Sequence, residues 1–351
     1  MTLPNSFRAA VLFHSPGCLK ITDIKMPVPK HGQVLVKVTA AGVCRSQLME
    51  IQGKRGEDRY LPHMMGHEGV GEVVAIGKGV SKVRVGQRVI LGWIKAIGLD
   101  SGGTVLETTA GQKINAGPVT TFAEYTLVSE NRLTHCPDDL ADELAVLLGC
   151  ALPTGAGLVL NEVKPRDSST VLLIGLGGIG VSALLMLNYF KPKEVVVVDT
   201  QPEKLTLAKK LGATTVYLAG VNIRETLSTN HPQGFDYAIE SAGSCKTIEL
   251  AFDNIHNRGI CYFASHPAAG EKISLDPHAL ICGKQINGTW GGNCQPDKDL
   301  PKIAEIIQNL DISVPDLVSD YYSLENINEA IGTLESGKVF RSLINTQAIG
   351  F

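Results

Sequence analysis

The sequence predicts an α/β protein of two domains, a β-rich one joined to a doubly wound parallel sheet. Three observations carry this. The chain has 351 residues, more than the roughly 250–300 at which a single hydrophobic core stops growing. Residues 7–90 hold short Val-, Ile- and Ala-rich segments broken by Gly, Pro and Lys, without long helical periods between them. From Thr170 onward, short apolar runs alternate with helical stretches, the pattern of a parallel sheet covered on both faces.

In the first part, segments 7–13, 33–43 and 69–76 read as strands of a twisted barrel or sandwich. Residues 94–121, rich in Gly and Thr, read as a loop or small lobe. Near 143 the character changes: Leu144, Leu147, Leu148 and Ala151 recur at helical spacing until Pro153 interrupts them. Runs 170–174, 194–198, 215–218, 235–240 and 259–263 are buried-strand candidates, and 285–289 closes the sheet. Helix candidates lie at 300–310 and 324–336.

Composition removes several classes of function. A formal net charge of −3 gives no electrostatic footprint for nucleic acid or anionic membrane. No apolar run reaches the ~18–20 residues of a bilayer span, and the first thirty residues lack a compact apolar signal region. Eight scattered cysteines form no dense disulfide framework, which fits a reducing, cytoplasmic setting.

Gly175-Leu176-Gly177-Gly178-Ile179-Gly180 fits G-x-G-x-x-G. It follows an apolar strand and opens an amphipathic stretch, the context in which the motif marks a dinucleotide site. Its glycines permit a tight turn and let backbone amides approach a pyrophosphate at a helix N-terminus. Asp199 ends the next strand, nineteen residues after Gly180. There its carboxylate accepts from ribose hydroxyls and repels a 2′-phosphate, so NAD is expected rather than NADP. A glycine-rich turn that merely packs helix on sheet is the competing reading.

Cys44, His67 and Cys150 form no CxxC pair, and on spacing alone buried thiols and a satisfied histidine account for them. A nicotinamide enzyme oxidising an alcohol, however, must stabilise an alkoxide as hydride leaves. A zinc on two thiolates and one imidazole, with an open fourth position, does this.

These residues resemble one family, the zinc-dependent medium-chain alcohol dehydrogenases. Gly42-Val-Cys-Arg-Ser46 is similar to its first-ligand motif. Gly66-His-Glu-Gly-Val-Gly-Glu-Val-Val74 is similar to its signature, and Val85-Gly-Gln-Arg-Val89 to the segment after it. Gly149-Cys-Ala-Leu-Pro-Thr-Gly-Ala-Gly157 resembles the third-ligand segment, and the likeness continues through Gly288-Thr-Trp-Gly-Gly292 and Gly337-Lys-Val-Phe-Arg341. The resemblance implies a GroES-like catalytic domain from residues 1–152 and 292–351 around a Rossmann NAD-binding domain at 153–291. It implies catalytic zinc on Cys44, His67 and Cys150, with Glu68 behind them or an occasional ligand. Ser46 would take the alcohol proton, Arg45 and Arg341 would contact the pyrophosphate, Thr154 the nicotinamide region and Lys204 the adenosine ribose. Trp93 and Phe122 would wall the substrate pocket, or simply belong to the core. The implied activity is reversible oxidation of a small alcohol to an aldehyde or ketone by a homodimer or homotetramer. The rivals are a sugar or polyol dehydrogenase, an aldehyde reductase, a metal-free quinone reductase and a non-catalytic NAD-binding protein.

Three departures stand out. No cysteine lies between Cys44 and Cys136, so the structural zinc of many relatives is expected to be absent and the lobe at 94–121 to rest on packing and hydrogen bonds. Gln47 occupies the place of a frequent aspartate that orients the ligand histidine. Met49 replaces the histidine that often ends the proton relay; His63, after Pro62, is read as a surface residue rather than its substitute.

Overall fold

The computed structural model describes residues 3–310, 317–318, 320–336 and 341–347. The chain divides into two compact units: residues 1–150, 295–300 and 317–351, and residues 151–294 and 301–316.

The first unit is built on two sheets. Its strands are β1 (Ser6–Leu12), β2 (Leu19–Lys25), β3 (Gln33–Gly42), β4 (His63–Met64), β5 (Gly69–Ile76), β6 (Arg88–Leu91), β7 (Thr104–Glu107), β8 (Lys113–Gly117), β9 (Tyr125–Ser129) and β10 (Leu133–His135). One sheet runs β2-β1-β4-β8-β7. The other runs β10-β6-β5-β3 and continues through tail strands Ser342–Asn345 and Asp320–Ser323, with β9 also paired to β3. β1 is apolar at nearly every position because both of its faces are covered. Phe7, Ala9 and Val11 enter one core cluster, Ala10 and Leu12 another. The stretch expected as a loop or small lobe contains the β7–β8 hairpin, in antiparallel register Leu106 opposite Ile114. Its strands are short and polar on one face, so little periodicity marks them.

Two helices complete this unit's framework for the site. Helix α1 (Arg45–Ile51) buries Gln47, Leu48 and Ile51. Helix α2 (Asp142–Leu147) begins with Asp142 and Glu143, acids that favour a helix N-terminus. Pro153 does not end α2. The break falls at Leu148–Cys150, and Pro153 sits in the first turn of helix α3 (Ala151–Gly157), where a missing N–H costs nothing.

The second unit is a parallel sheet of β11 (Thr170–Ile174), β12 (Glu194–Asp199), β13 (Thr215–Leu218), β14 (Phe235–Glu240), β15 (Ile255–Phe263) and β16 (Gln285–Gly288), in the order β13-β12-β11-β14-β15-β16. Reduced to the unit's own count this is 3-2-1-4-5-6, the Rossmann order, with its reversal between β11 and β14. Helix α4 (Gly178–Phe190) is buried from Gly180 through Leu187, as a helix apolar on all sides requires. Helices α5 (Pro202–Lys210), α6 (Ile223–Asn230) and α7 (Cys245–Asp253) form the other crossovers. Of the tail motif at 337–341, residues 337–340 lie outside the described residues.

Candidate active site

The three expected metal ligands meet. The thiol sulfurs of Cys44 and Cys150 and a ring nitrogen of His67 all lie within 4.8 Å of one another, and His67 Nε2 is 3.2 Å from Cys150 Sγ. Each arrives on a different local structure. Cys44 is the extended residue capping α1 (φ −108°, ψ 149°). His67 follows Gly66, whose φ of +94° and tight approach to Thr121 and Phe122 exclude a side chain. Cys150 ends the turn after α2, where a Cβ on Gly149 would come within 2.4 Å of the Leu91 carbonyl.

The surroundings are charged and dry. Glu68 is fully buried, and Arg341, 4% exposed, places Nη1 3.4 Å from its carboxylate while donating to the Val43 carbonyl at 2.9 Å. The hydrogen bond from Cys150, helped by Arg341, holds the Cys44 thiol well below the usual thiol range despite its burial. This guanidinium stands against the Glu68 carboxylate and the Cys44 sulfur, while its Nε has no hydrogen-bond partner among the described residues. Two thiols and an imidazole form a borderline-soft set suited to zinc, and three protein donors leave a fourth position open, the arrangement of catalytic sites. The Ser46 hydroxyl, two residues after Cys44, is buried with no hydrogen-bond partner, as a group awaiting a ligand would be. The residues present therefore fit the metal.

Gln47 does more than its sequence position suggested. Its Oε1 accepts from the Cys44 amide at 2.7 Å and its side-chain amide lies 2.8 Å from His67 Nδ1, so one buried side chain reaches two of the expected ligands. His63 is not a surface residue. It is 7% exposed, with Nε2 2.8 Å from Asp58 and Nδ1 2.9 Å from the Met64 carbonyl, because β4 places it between β1 and β8. Phe122 is fully buried in the cluster of Val43, Leu48 and Ile51; having no open face, it is core and not a pocket wall. Trp93 is half-buried and packs on the cluster around Val89 and Leu91.

Residues 94–102 are fastened by a carboxylate that the sequence did not single out. Glu130, 1% exposed, accepts from the backbone amides of Ser81 (2.6 Å), Lys82 (2.6 Å) and Leu99 (2.8 Å). Burial alone would push its pKa up, but these amides together with Lys82 hold it below the usual value. Because the folded value lies below the unfolded one, this stabilisation is complete above the ordinary carboxylate pKa of ~4.3 and fades as pH falls through the depressed value. Glu130→Gln, which turns an amide NH2 toward backbone donors, is expected to cost roughly 2 kcal/mol. A denaturant midpoint reads the loss, and limited proteolysis at 94–102 should show the wild-type segment opening at acid pH. Equal midpoints for variant and wild type would remove Glu130 from this role.

In the second unit the glycine motif closes a turn between β11 and α4. Gly175 has φ +92°, and a Cβ on Gly180 would lie 1.9 Å from the Gly175 carbonyl. A Cβ on Gly177, which caps α4, would meet no atom within 4 Å. That open cradle at a helix N-terminus fits a phosphate. Asp199, at the end of β12, accepts from the Leu176 amide at 2.6 Å and the Gln201 amide at 2.9 Å. Thr154 on α3 and Lys204 on α5 are both nearly buried, whereas Arg45 is exposed. Gly155, beside Thr154, lets α3 meet α4; a Cβ there would come within 2.1 Å of the Ile179 carbonyl.

Fold and site define a two-domain metal-dependent oxidoreductase. Models of the alcohol dehydrogenase GroES-like domain and of the zinc-binding dehydrogenase domain match residues 30–138 and 178–309. An Escherichia coli S-(hydroxymethyl)glutathione dehydrogenase is 31% identical, aligned over 96% of this chain and 99% of its own. The crystal structure of an alcohol dehydrogenase zinc-binding domain protein from Burkholderia ambifaria superposes with a TM-score of 0.88 at 28% identity, covering 97% of this chain and 98% of that one. Benzyl alcohol dehydrogenase from Acinetobacter calcoaceticus gives 0.87 at 27% identity, covering 97% and 99%. The chain belongs to the zinc-dependent alcohol dehydrogenase family of medium-chain dehydrogenases. It is an enzyme that oxidises alcohols, and the family implies zinc and NAD as its cofactors. No helix among the described residues is long and apolar enough to cross a membrane.

Proposed function

We propose that this enzyme uses NAD rather than NADP and one zinc per chain, on Cys44, His67 and Cys150, to convert a small alcohol to its aldehyde or ketone. The observation that carries the proposal is the two-thiol, one-imidazole cluster beside a buried, unpartnered Ser46 hydroxyl. When bound, zinc would supply Lewis acidity at the substrate oxygen and NAD would supply the hydride acceptor. Ser46 takes the hydroxyl proton. Gln47 keeps Cys44 and His67 in place, and Arg341 with Glu68 keeps the charge of the cluster balanced. Met49 cannot titrate, so the proton leaves through water or another base, or its release is slower. Arg45 and Arg341 are assigned to the cofactor phosphates, Asp199 and Lys204 to the adenosine ribose, Thr154 to the nicotinamide end and Trp93 to the substrate pocket.

A single zinc is the reading that the lobe supports, since Glu130 and backbone amides hold its first part. The second cluster, Glu50, Asp58 and His63, is read as an ion-pair network, both His63 ring nitrogens being engaged. All eight cysteines are free of disulfides, which supports a cytoplasmic setting. The terminal strand β16 offers an edge for pairing and supports a homodimer or homotetramer, to be read by light scattering.

The test is NADH production over a panel of primary, secondary, aromatic and polyol substrates, together with S-hydroxymethylglutathione, before and after chelation. Turnover of at least one alcohol, lost on chelation and restored by zinc, is expected. A panel on which only polyols react would move the assignment to polyol dehydrogenase, and chelator-resistant turnover would remove the metal mechanism.

A further inference from the structure

Glu240 closes β14 and is fully buried. Four donors, none of them cationic, converge on its carboxylate. The amides of Ala242 (2.9 Å) and Gly243 (2.8 Å) and the hydroxyl of Thr247 (2.8 Å) donate to Oε1, and the hydroxyl of Ser265 donates to Oε2. Burying a carboxylate is costly unless its acceptor sites are filled, and here two of the four donors are amides of the turn that follows it, residues 241–243.

That turn lies where the strand order reverses. β14 and β11 are neighbours in parallel register, Glu240 opposite Ile174, and dinucleotides cross such sheets at this point. From the turn, the Ser241 hydroxyl donates to the Gly175 carbonyl at 2.8 Å and the Ser241 amide donates to the Ile174 carbonyl at 2.9 Å. Gly175 stands so close that a Cβ on it would be 2.7 Å from the Ala242 nitrogen. A chain of contacts thus leads from a buried carboxylate, through one turn, to the first glycine of the dinucleotide motif.

We infer that Glu240 is a positioning residue for the cofactor: its carboxylate fixes the Ser241–Gly243 turn against Gly175, so that the glycine loop is preorganised before the dinucleotide arrives. The inference rests on the dinucleotide reading above. A loop ordered only on binding would spend part of the binding energy on that ordering.

The experiment compares wild type, Glu240→Gln and Ser241→Ala by NADH fluorescence titration, apo-protein thermal unfolding and steady-state kinetics. Glu240→Gln sets an NH2 among donors and is expected to raise the NADH Kd by about tenfold or more, with the loss falling on KM for NAD rather than on kcat. Ser241→Ala leaves the carboxylate network intact and removes the hydroxyl's bonds to the Gly175 and Ile174 carbonyls, so it is expected to raise Kd by about threefold or more with Tm little changed. A folded Glu240→Gln protein and Ser241→Ala that both bind NADH like wild type would overturn the inference and leave Glu240 a purely structural group. If Glu240→Gln does not fold, the Ser241→Ala titration decides by itself. Wild-type protein that bound no NADH would instead overturn the dinucleotide reading, and this inference with it.

Discussion

Cys44→Ser and His67→Ala are each expected to lower kcat by about 10³-fold or more, about 4 kcal/mol of transition-state stabilisation. A serine hydroxyl stays protonated at neutral pH, whereas a cysteine binds the metal as its thiolate. Alanine at 67 removes the imidazole and strands the Gln47 amide that reaches it. Cofactor binding is the control. The glycine loop belongs to the other compact unit, with its own core around Leu172, Val196 and Phe235. NADH affinity in both variants is therefore expected to stay within about threefold of wild type, under a half-decade of Kd and so less than ~1 kcal/mol. Absorbance kinetics and fluorescence titration on the same preparations read both quantities. Either variant turning over alcohol at the wild-type rate would exclude the cluster from the chemistry.

Asp199→Gly should shift the ratio of kcat/KM for NAD over NADP by about 10²-fold toward NADP, close to 3 kcal/mol. The carboxylate at the end of β12 accepts ribose hydroxyls in the assigned pose and opposes a 2′-phosphate. The structure adds a second effect. Asp199 also accepts from the Leu176 and Gln201 amides, so its removal frees the glycine turn and weakens NAD binding itself. The variant should thus lose efficiency with NAD while gaining it with NADP. A preference that does not move would take Asp199 out of cofactor selection, and a loss shared equally by both cofactors would reduce it to a support for the turn.

The parallel sheet was the most legible part of the fold. Strands covered on both faces, such as Val171–Ile174 and Val195–Val198, are continuous apolar runs, and the glycines between them have few other uses. The hairpin of β7 and β8 was not legible, because its short strands alternate weakly and carry polar ends. Cys44, His67 and Cys150 became a site in the sequence only through resemblance, since residues scattered from position 44 to position 150 show no ligand spacing; the structure brings their donors together. His63 was misplaced, and Phe122 stayed open between pocket wall and core, for one reason, that burial set by neighbouring strands leaves no local mark. Glu130 and Glu240 illustrate the limit from the other side. A carboxylate that gathers backbone amides is indistinguishable in sequence from one on the surface, because main-chain partners carry no letter; the Thr247 and Ser265 hydroxyls that join the amides at Glu240 lie apart from it in the sequence.

The central claim, one catalytic zinc on the Cys44, His67 and Cys150 cluster, is tested most directly by elemental analysis of protein purified without chelator or added zinc, with Cys44→Ser in parallel. The account predicts about one zinc per wild-type chain and a clear loss in the variant. Wild-type protein that binds NADH and oxidises an alcohol without zinc, or a variant that keeps its full zinc content, would contradict it.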